Sequence, residues 1–304
     1  MDLTNIGFMK IRRQTTVLSI ILIVISIYSL FVNKLNFGLD FTGGSLIEIR
    51  LAEDIDSLEE IRGLLQSMNL NDFQVNYFGS NRDISIKVPG GDNSIDEDVL
   101  IQNLKQDFDF EVRRQEFVGP QVGSELRDQG GLGLLAALAV MMVYIMFRFQ
   151  YKFALGAVAA LGHDVVIILG LFSIFAWDFD LSVLAALLAV IGYSLNDSIV
   201  VSDRIRENFR SERALGSEDL INLSLNQTLS RTVITSLTTL LVLFALFFFG
   251  GEAVRGFSLG LIIGVLIGTY SSLYIVTTIL ISLNLSQEDM AVPDIEGAEF
   301  DDMP

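Results

Sequence analysis

Residues 14–33 read QTTVLSIILIVISIYSLFVN, an uncharged run bracketed by Arg13 and Lys34. The hydrocarbon core of a bilayer is about 30 Å thick and takes roughly 20 apolar helical residues to cross. The run therefore reads as a membrane span, and the rest of the chain is organised around it. Residues 129–147 and 232–251 are equally free of charge. Residues 153–177 and 181–202 are each interrupted by one acid, Asp164 and Asp197. A sixth block is uncharged from Gly256 to Gln287. At ~1.5 Å per residue that exceeds one crossing, so its helix is expected to end near Leu283. Lys10, Arg12 and Arg13 resemble the basic region of a secretion signal. The apolar run is longer than the roughly 7–15 residues of a signal, and no A-x-A-like site follows, which predicts a retained anchor.

Composition narrows the function. Of 304 residues, 51% are hydrophobic, so distribution rather than average carries the information. Cysteine is absent, which excludes disulfides and thiolate metal sites, and the single histidine, His163, speaks against a histidine metal cluster. No cofactor is expected. A net charge of −17 disfavours nucleic acid as a partner. Residues 34–130 hold nineteen acids and nine bases, and the tail after Leu283 holds seven acids and no base. Bases gather in alternate short loops: before span one, at Arg148 and Lys152, and at Arg204, Arg206, Arg210 and Arg213. The positive-inside rule then puts both termini in the cytoplasm and residues 34–130 outside.

Within that outer segment, residues 46–51, 73–78, 84–88 and 110–117 alternate like strands, with a turn at Gly79-Ser80-Asn81. Residues 55–68 and 99–108 have helical apolar spacing, with Leu58, Ile61, Leu64, Leu65 and Met68 on one and Leu100, Leu104 and Phe108 on the other. The order β-α-β-β-α-β is the ferredoxin-like arrangement. The expected fold is a membrane α-helical bundle of six transmembrane helices with one α+β ferredoxin-like extracytoplasmic domain. The expected division is 1–33 (N-terminus and first span), 34–130 (outer domain), 131–283 (spans two to six, with a cytoplasmic loop at 203–230) and 284–304 (acidic tail).

Three groups inside or at the edge of the spans invite chemistry. A charged side chain at the bilayer centre costs about 2.5–3.5 kcal/mol on insertion scales, so it needs a partner or a task. Asp164 lies near the middle of span three, Asp197 toward the inner end of span four, and Arg231 at the start of span five. A carboxylate suits proton carriage because its proton affinity responds to burial and to a neighbouring cation. Asn196, Ser194, Ser198, Thr232 and Thr235 can hold water beside Asp197, and His163 adjoins Asp164. The bland alternative is a static ion pair joining two helices, with Arg231 merely snorkelling. Gly256, Gly260, Gly264, Gly268 and Ser272 recur every four residues, a stripe for close helix approach, and Ala185, Ala189 and Gly192 form another.

Gly38-Leu39-Asp40-Phe41-Thr42-Gly43-Gly44 after span one resembles the signature of the SecD/SecF family. Val118-Gly119-Pro120-Gln121-Val122-Gly123, Gly162-His163-Asp164, Gly192-Tyr193-Ser194-Leu195-Asn196-Asp197-Ser198 and Arg231-Thr232 follow in that family's order. The resemblance covers almost the whole chain, and its length places it on the SecF side. It implies a non-enzymatic subunit of the Sec export machinery in the bacterial inner membrane, within the resistance-nodulation-division superfamily. The implied partners are a SecD-like subunit, the SecYEG channel, YajC, the exported polypeptide and the surrounding lipid. The resemblance also assigns Asp197 and Arg231 to proton transport, with Asp164 a further candidate. Passive scaffolding and half of a proton-coupled exporter are the alternatives. An intramembrane aspartyl protease is disfavoured, because Gly162-His163-Asp164 lacks the Gly-x-Gly-Asp pattern.

Overall fold

The computed structural model describes residues 6–290, except positions 56, 69, 71, 72, 79, 91–96 and 213 and the side chain of Glu252. The 291–304 part of the acidic tail, and Gly79 of the expected turn, lie outside the described residues. A 3-10 turn at Phe8–Ile11 leads into α1, Arg12–Val32. The short β1 (Asn36–Phe37) and the single turn α2 (Leu39–Thr42) follow. A sheet domain comes next: β2 (Gly44–Leu51), α3 (Glu59–Ser67), β3 (Gln74–Phe78), β4 (Ser80–Pro89), α4 (Glu97–Asp107) and β5 (Phe110–Val118). The chain continues through α5 (Pro120–Arg148), α6 (Tyr151–Ile174), β6 (Asp178–Phe179), α7 (Leu181–Ser211), α8 (Ser217–Phe249) and α9 (Glu252–Ser282). Six of these helices, α1 and α5 to α9, are long and apolar enough to cross a membrane.

The helices outrun the charge-free blocks. α5 begins at Pro120, whose fixed φ and missing N–H suit a first helical position. The polar 203–230 segment is the two ends of α7 and α8, joined across residues 212–216. Charged residues carry no insertion penalty beyond the hydrocarbon, so a span's helix continues past it until a cap or glycine intervenes.

The sheet domain pairs its strands antiparallel in the order β3-β4-β2-β5. Alternation sends Ile47 and Ile49 of β2 and Ile84 and Ile86 of β4 to the same face. There they pack against Ile61 and Leu65 of α3 and Leu100 and Leu104 of α4, all fully buried. Each such side chain contributes about 1.5–3 kcal/mol relative to exposure. The other face is ionic. Arg50 donates twice to Asp83, at 2.6 and 2.8 Å, and that hydrogen bonding holds the Asp83 carboxyl down to about 2 against the opposing effect of desolvation.

The signature at residues 38–44 is a junction rather than a simple turn. Gly38 N–H donates to Phe179 O at 2.8 Å, and β1 runs parallel to β6. Asp40 Oδ2 accepts from the Leu181 N–H at 3.0 Å, while Asp180 Oδ1 accepts from the Val183 N–H at 2.9 Å, so two carboxylates cap α7. Phe41 is buried and stacks on Phe179 at 5.9 Å. Gly43 (φ 68°) and Gly44 (φ 126°) adopt backbone that favours glycine. A Cβ on Gly43 would sit 2.6 Å from Pro120 Cα, and one on Gly44 2.2 Å from Val88 O. The exit of span one, the start of α5, the sheet and the start of α7 thus meet at seven residues. Asp178, from the same α6–α7 connection, accepts from Asn36 and pairs with Lys87 of the sheet.

In the bundle, the glycine stripe of α9 faces α7. Built Cβ atoms on Gly256, Gly260, Gly264 and Gly268 would meet Val183, Ala186, Val190 and Ser194 in turn, the third at only 2.0 Å from Val190 Cγ2. At the opposite end of the bundle from the sheet, the chain after α9 folds back. Lys152, 8% exposed, donates to Asp289 Oδ2 at 2.7 Å and to Asn284 O at 3.1 Å. Desolvation alone would push the Asp289 carboxyl up, but hydrogen bonds from Lys152 and Ser286 outweigh it and hold it below the ordinary range. Ser217 of α8 and the buried Leu285 complete this staple.

Candidate functional site in the helical bundle

Asp164 is fully buried on α6 and is the hub of a polar network spanning four helices. Its Oδ1 meets His163 Nδ1 at 2.9 Å, and its Oδ2 accepts from Ser194 of α7 at 2.6 Å and Ser271 of α9 at 2.8 Å. His163 Nε2 lies 3.2 Å from Ser19 Oγ on α1. Ser19 in turn meets the Tyr270 hydroxyl at 2.8 Å, and that hydroxyl donates to Thr15 O at 2.7 Å. His163 and Ser194 are buried, so this chain has no competing bulk water and its hydrogen bonds are correspondingly strong.

Asp197 lies three residues beyond Ser194 on α7 and is 4% exposed. Its Oδ2 has no hydrogen-bond partner among the described residues, nor does the hydroxyl of the fully buried Thr232 on α8. Arg231 is exposed, and its charge acts on Asp197 without an ion-pair contact among the described residues. At ~1.5 Å per residue Asp197 is ~24 Å from the Leu181 end of α7, and Arg231 is ~27 Å from the Phe249 end of α8. The pair therefore sits at matched depth.

The sequence-predicted residues divide between these two places. Asp164 and His163 are brought together in the four-helix network; Asp197, Arg231 and Thr232 gather at the α7–α8 contact. Asn196 points outward from α7, and Thr235 returns its hydroxyl to the carbonyls of Arg231 and Thr232, both at 3.0 Å. Ser194, expected beside Asp197, donates to Asp164 instead. Gly38, Asp40, Phe41, Thr42, Gly43 and Gly44 stand apart at the junction with the sheet. Sequence reasoning missed Ser19, Tyr270 and Ser271. Hydroxyls are frequent in apolar spans, and only the packing of α1 and α9 on α6 distinguishes these. Among the described residues no cluster of three or more His, Asp or Glu is arranged to hold a metal.

Six spanning-length helices, a paired sheet domain set on one end and acids buried among helices define a multi-pass membrane protein of the transport kind. Residues 99–286 match the family model for the protein export membrane protein SecD/SecF C-terminal region, and residues 28–55 match the SecD/SecF GG motif. The chain belongs to the SecD/SecF family, on its SecF side. It is 48% identical to protein translocase subunit SecF of Pseudomonas aeruginosa over 302 residues, covering 99% of this chain and 98% of that one. It is 45% identical to the subunit of the same name from Vibrio alginolyticus, covering 99% and 97%. Among solved structures it resembles SecDF, a translocon-associated membrane protein from Thermus thermophilus, with a TM-score of 0.83 and 36% identity. That match covers 92% of this chain and only 38% of the SecDF chain. SecDF in its super-membrane-facing form matches with a TM-score of 0.68 at 35% identity.

Proposed function

We propose that this protein works with a SecD-like subunit to couple the proton gradient to late translocation of secreted polypeptides. Asp197 is the group that takes up and releases the proton, and Arg231 is the cation whose approach and withdrawal sets its affinity. The observation that carries this reading is a buried carboxylate with one oxygen unengaged, near an arginine that it does not grip. A static helix-joining pair would instead close both oxygens on the guanidinium. Asp164, hydrogen-bonded to His163, is a second candidate carrier.

The other half of the machinery is inferred from what is left open. Ala185, Ala189, Gly192 and Asn196 form an outward face of α7 that α9 does not cover. A small-residue face of this kind lets a second bundle approach closely, and a SecD-like subunit is the partner that fits. The relative's description as translocon-associated supports assembly with a SecYEG channel, with YajC as a further subunit. In this reading the βαββαβ domain is a ferredoxin-like extracytoplasmic module acting on the emerging polypeptide. The membrane is the bacterial inner membrane, and both termini are cytoplasmic.

The test is export into inverted membrane vesicles, with and without an imposed proton gradient. Asp197→Asn keeps shape and hydrogen bonding and should abolish the gradient-dependent part of export while ATP-driven export and SecD association persist. Asp164→Asn separates the two acids: loss there as well places both on the proton route. A gradient response equal to the parent's in Asp197→Asn would overturn the assignment.

A further inference from the structure

We infer that the end of the bundle remote from the sheet carries a binding site for the phosphate group of an anionic phospholipid. A cleft of ≈ 530 Å³ opens there, between the end of α5 and the last turns of α7, lined by Arg148, Asp203, Arg206, Glu207, Arg210 and Ser211. Three guanidiniums face two carboxylates, so the cleft is positive. Its acids are partly engaged: Asp203 accepts from both Arg148 and Arg206 at 3.3 Å, while Glu207 is drawn off to Arg204 at 3.0 Å. Arg210 is exposed and has no ion pair among the described residues. Donors therefore remain for an incoming anion.

The guanidiniums are also oriented. Arg148 and Arg206 both lie over the buried Phe149 ring, at 5.1 and 5.6 Å from its centre. Stacking of this kind fixes the guanidinium plane and aims its edge into the cleft, where a phosphate would compete with Asp203 for contact. Depth selects the source of that phosphate. Arg206 and Arg210 follow Leu181 by 25 and 29 positions, ~38 and ~44 Å along α7 at 1.5 Å per residue. Those distances exceed the ~30 Å hydrocarbon and bring both arginines to the inner surface of a bilayer about 40–45 Å thick, beside its headgroups. Beside the cleft, Phe147 is 90% exposed and Tyr151 65% exposed, the apolar and aromatic wall that acyl chains and an interface call for. A lipid satisfies cleft and wall together; a free phosphate satisfies the cleft alone.

The test uses the full-length chain in mixed-lipid nanodiscs, with bound lipid read by native mass spectrometry after transfer to detergent. Phosphatidylglycerol should be retained at least about tenfold over phosphatidylcholine, and the triple variant R148Q/R206Q/R210Q should lose that preference while the Lys triple variant keeps part of it. Inorganic phosphate should fail to displace the lipid. A photoreactive phosphatidylglycerol on the wild-type chain should label peptides holding residues 147–151 and 203–211, a readout independent of how the variants fold. Labelling elsewhere, or an unchanged preference in a folded Gln triple variant, would overturn the site. Full displacement by inorganic phosphate would assign it to the free ion. Lipid retention that rises on truncation after Met290 would assign it to the chain's own acidic tail.

Discussion

The carboxylate of Asp40 accepts a hydrogen bond from the backbone N–H of Leu181 at 3.0 Å. A residue that has just left the first span thus holds the first residue of the helix that carries Asp197. This contact and the parallel pairing of β1 with β6 tie the junction beneath the sheet domain to the start of α7. Asp40→Ala removes one of the two carboxylates capping α7, a loss of about 1 kcal/mol. Thermal unfolding in detergent should show the drop for Asp40→Ala, with Asp40→Asn keeping most of the stability through its remaining acceptor oxygen. Equal losses in the two variants would mean that the contact is electrostatic rather than a cap.

Gly264 and Val190 form the tightest point of the α7–α9 seam. A methyl at position 264 would overlap Val190 Cγ2, so Gly264→Ala should destabilise the bundle by about 1–3 kcal/mol. Val190→Ala in the same chain should return a large part of that loss. A double-mutant cycle on resistance to unfolding by detergent reads the coupling. Additive losses would show that the helices part at this level.

Acid should weaken the sheet domain through Asp83. Its carboxyl is held at about 2, below its ordinary 3.8, chiefly by the hydrogen bond from Arg50. A group with a depressed folded-state value contributes stability that is complete above its unfolded value and lost as pH falls toward the folded one. The melting temperature of the sheet should therefore fall between about pH 4 and about pH 2. Asp83→Asn should be less stable at neutral pH and should lack this part of the acid dependence. An identical acid profile in parent and variant would shift the cause to other carboxylates.

Orientation is checked by single cysteines in a chain that otherwise has none. Gln106→Cys on α4 and Ser211→Cys at the end of α7 are both exposed. In intact cells an impermeant thiol reagent should label the first and spare the second until the membrane is opened. The reverse pattern would invert the proposed topology.

What the sequence disclosed and what it withheld follow from range. Uncharged runs mark spans because an ionised side chain in hydrocarbon is costly wherever its neighbours lie, so all six spans are legible one at a time. Alternation at Ile47, Ile49, Ile84 and Ile86 is equally local and marks the strands. The polar segment after Asp203 reads as helical and is so, but neither the start of α5 at Pro120 nor the break across residues 212–216 is marked, because beyond the bilayer charge no longer marks a boundary. The glycine stripe announced close contact, but only the fold says that its partner is α7 of the same chain. The Asp164 network was least legible. Ser19, Ser194 and Ser271 come from three other helices, and no spacing along the chain links them.

The ammonium of Lys152 has consequences for the order of synthesis. Its carboxylate partner, Asp289, lies 137 residues later in the chain. At about 5–20 residues per second, roughly seven to twenty-seven seconds separate the two on the ribosome. Throughout that interval the near end of α6 carries a cation with no counter-ion from its own staple, and that corner of the bundle stays open to water. The corner seals only when the final turn arrives. A chain that ends before Asp289 therefore leaves an unpaired charge that the longer one conceals.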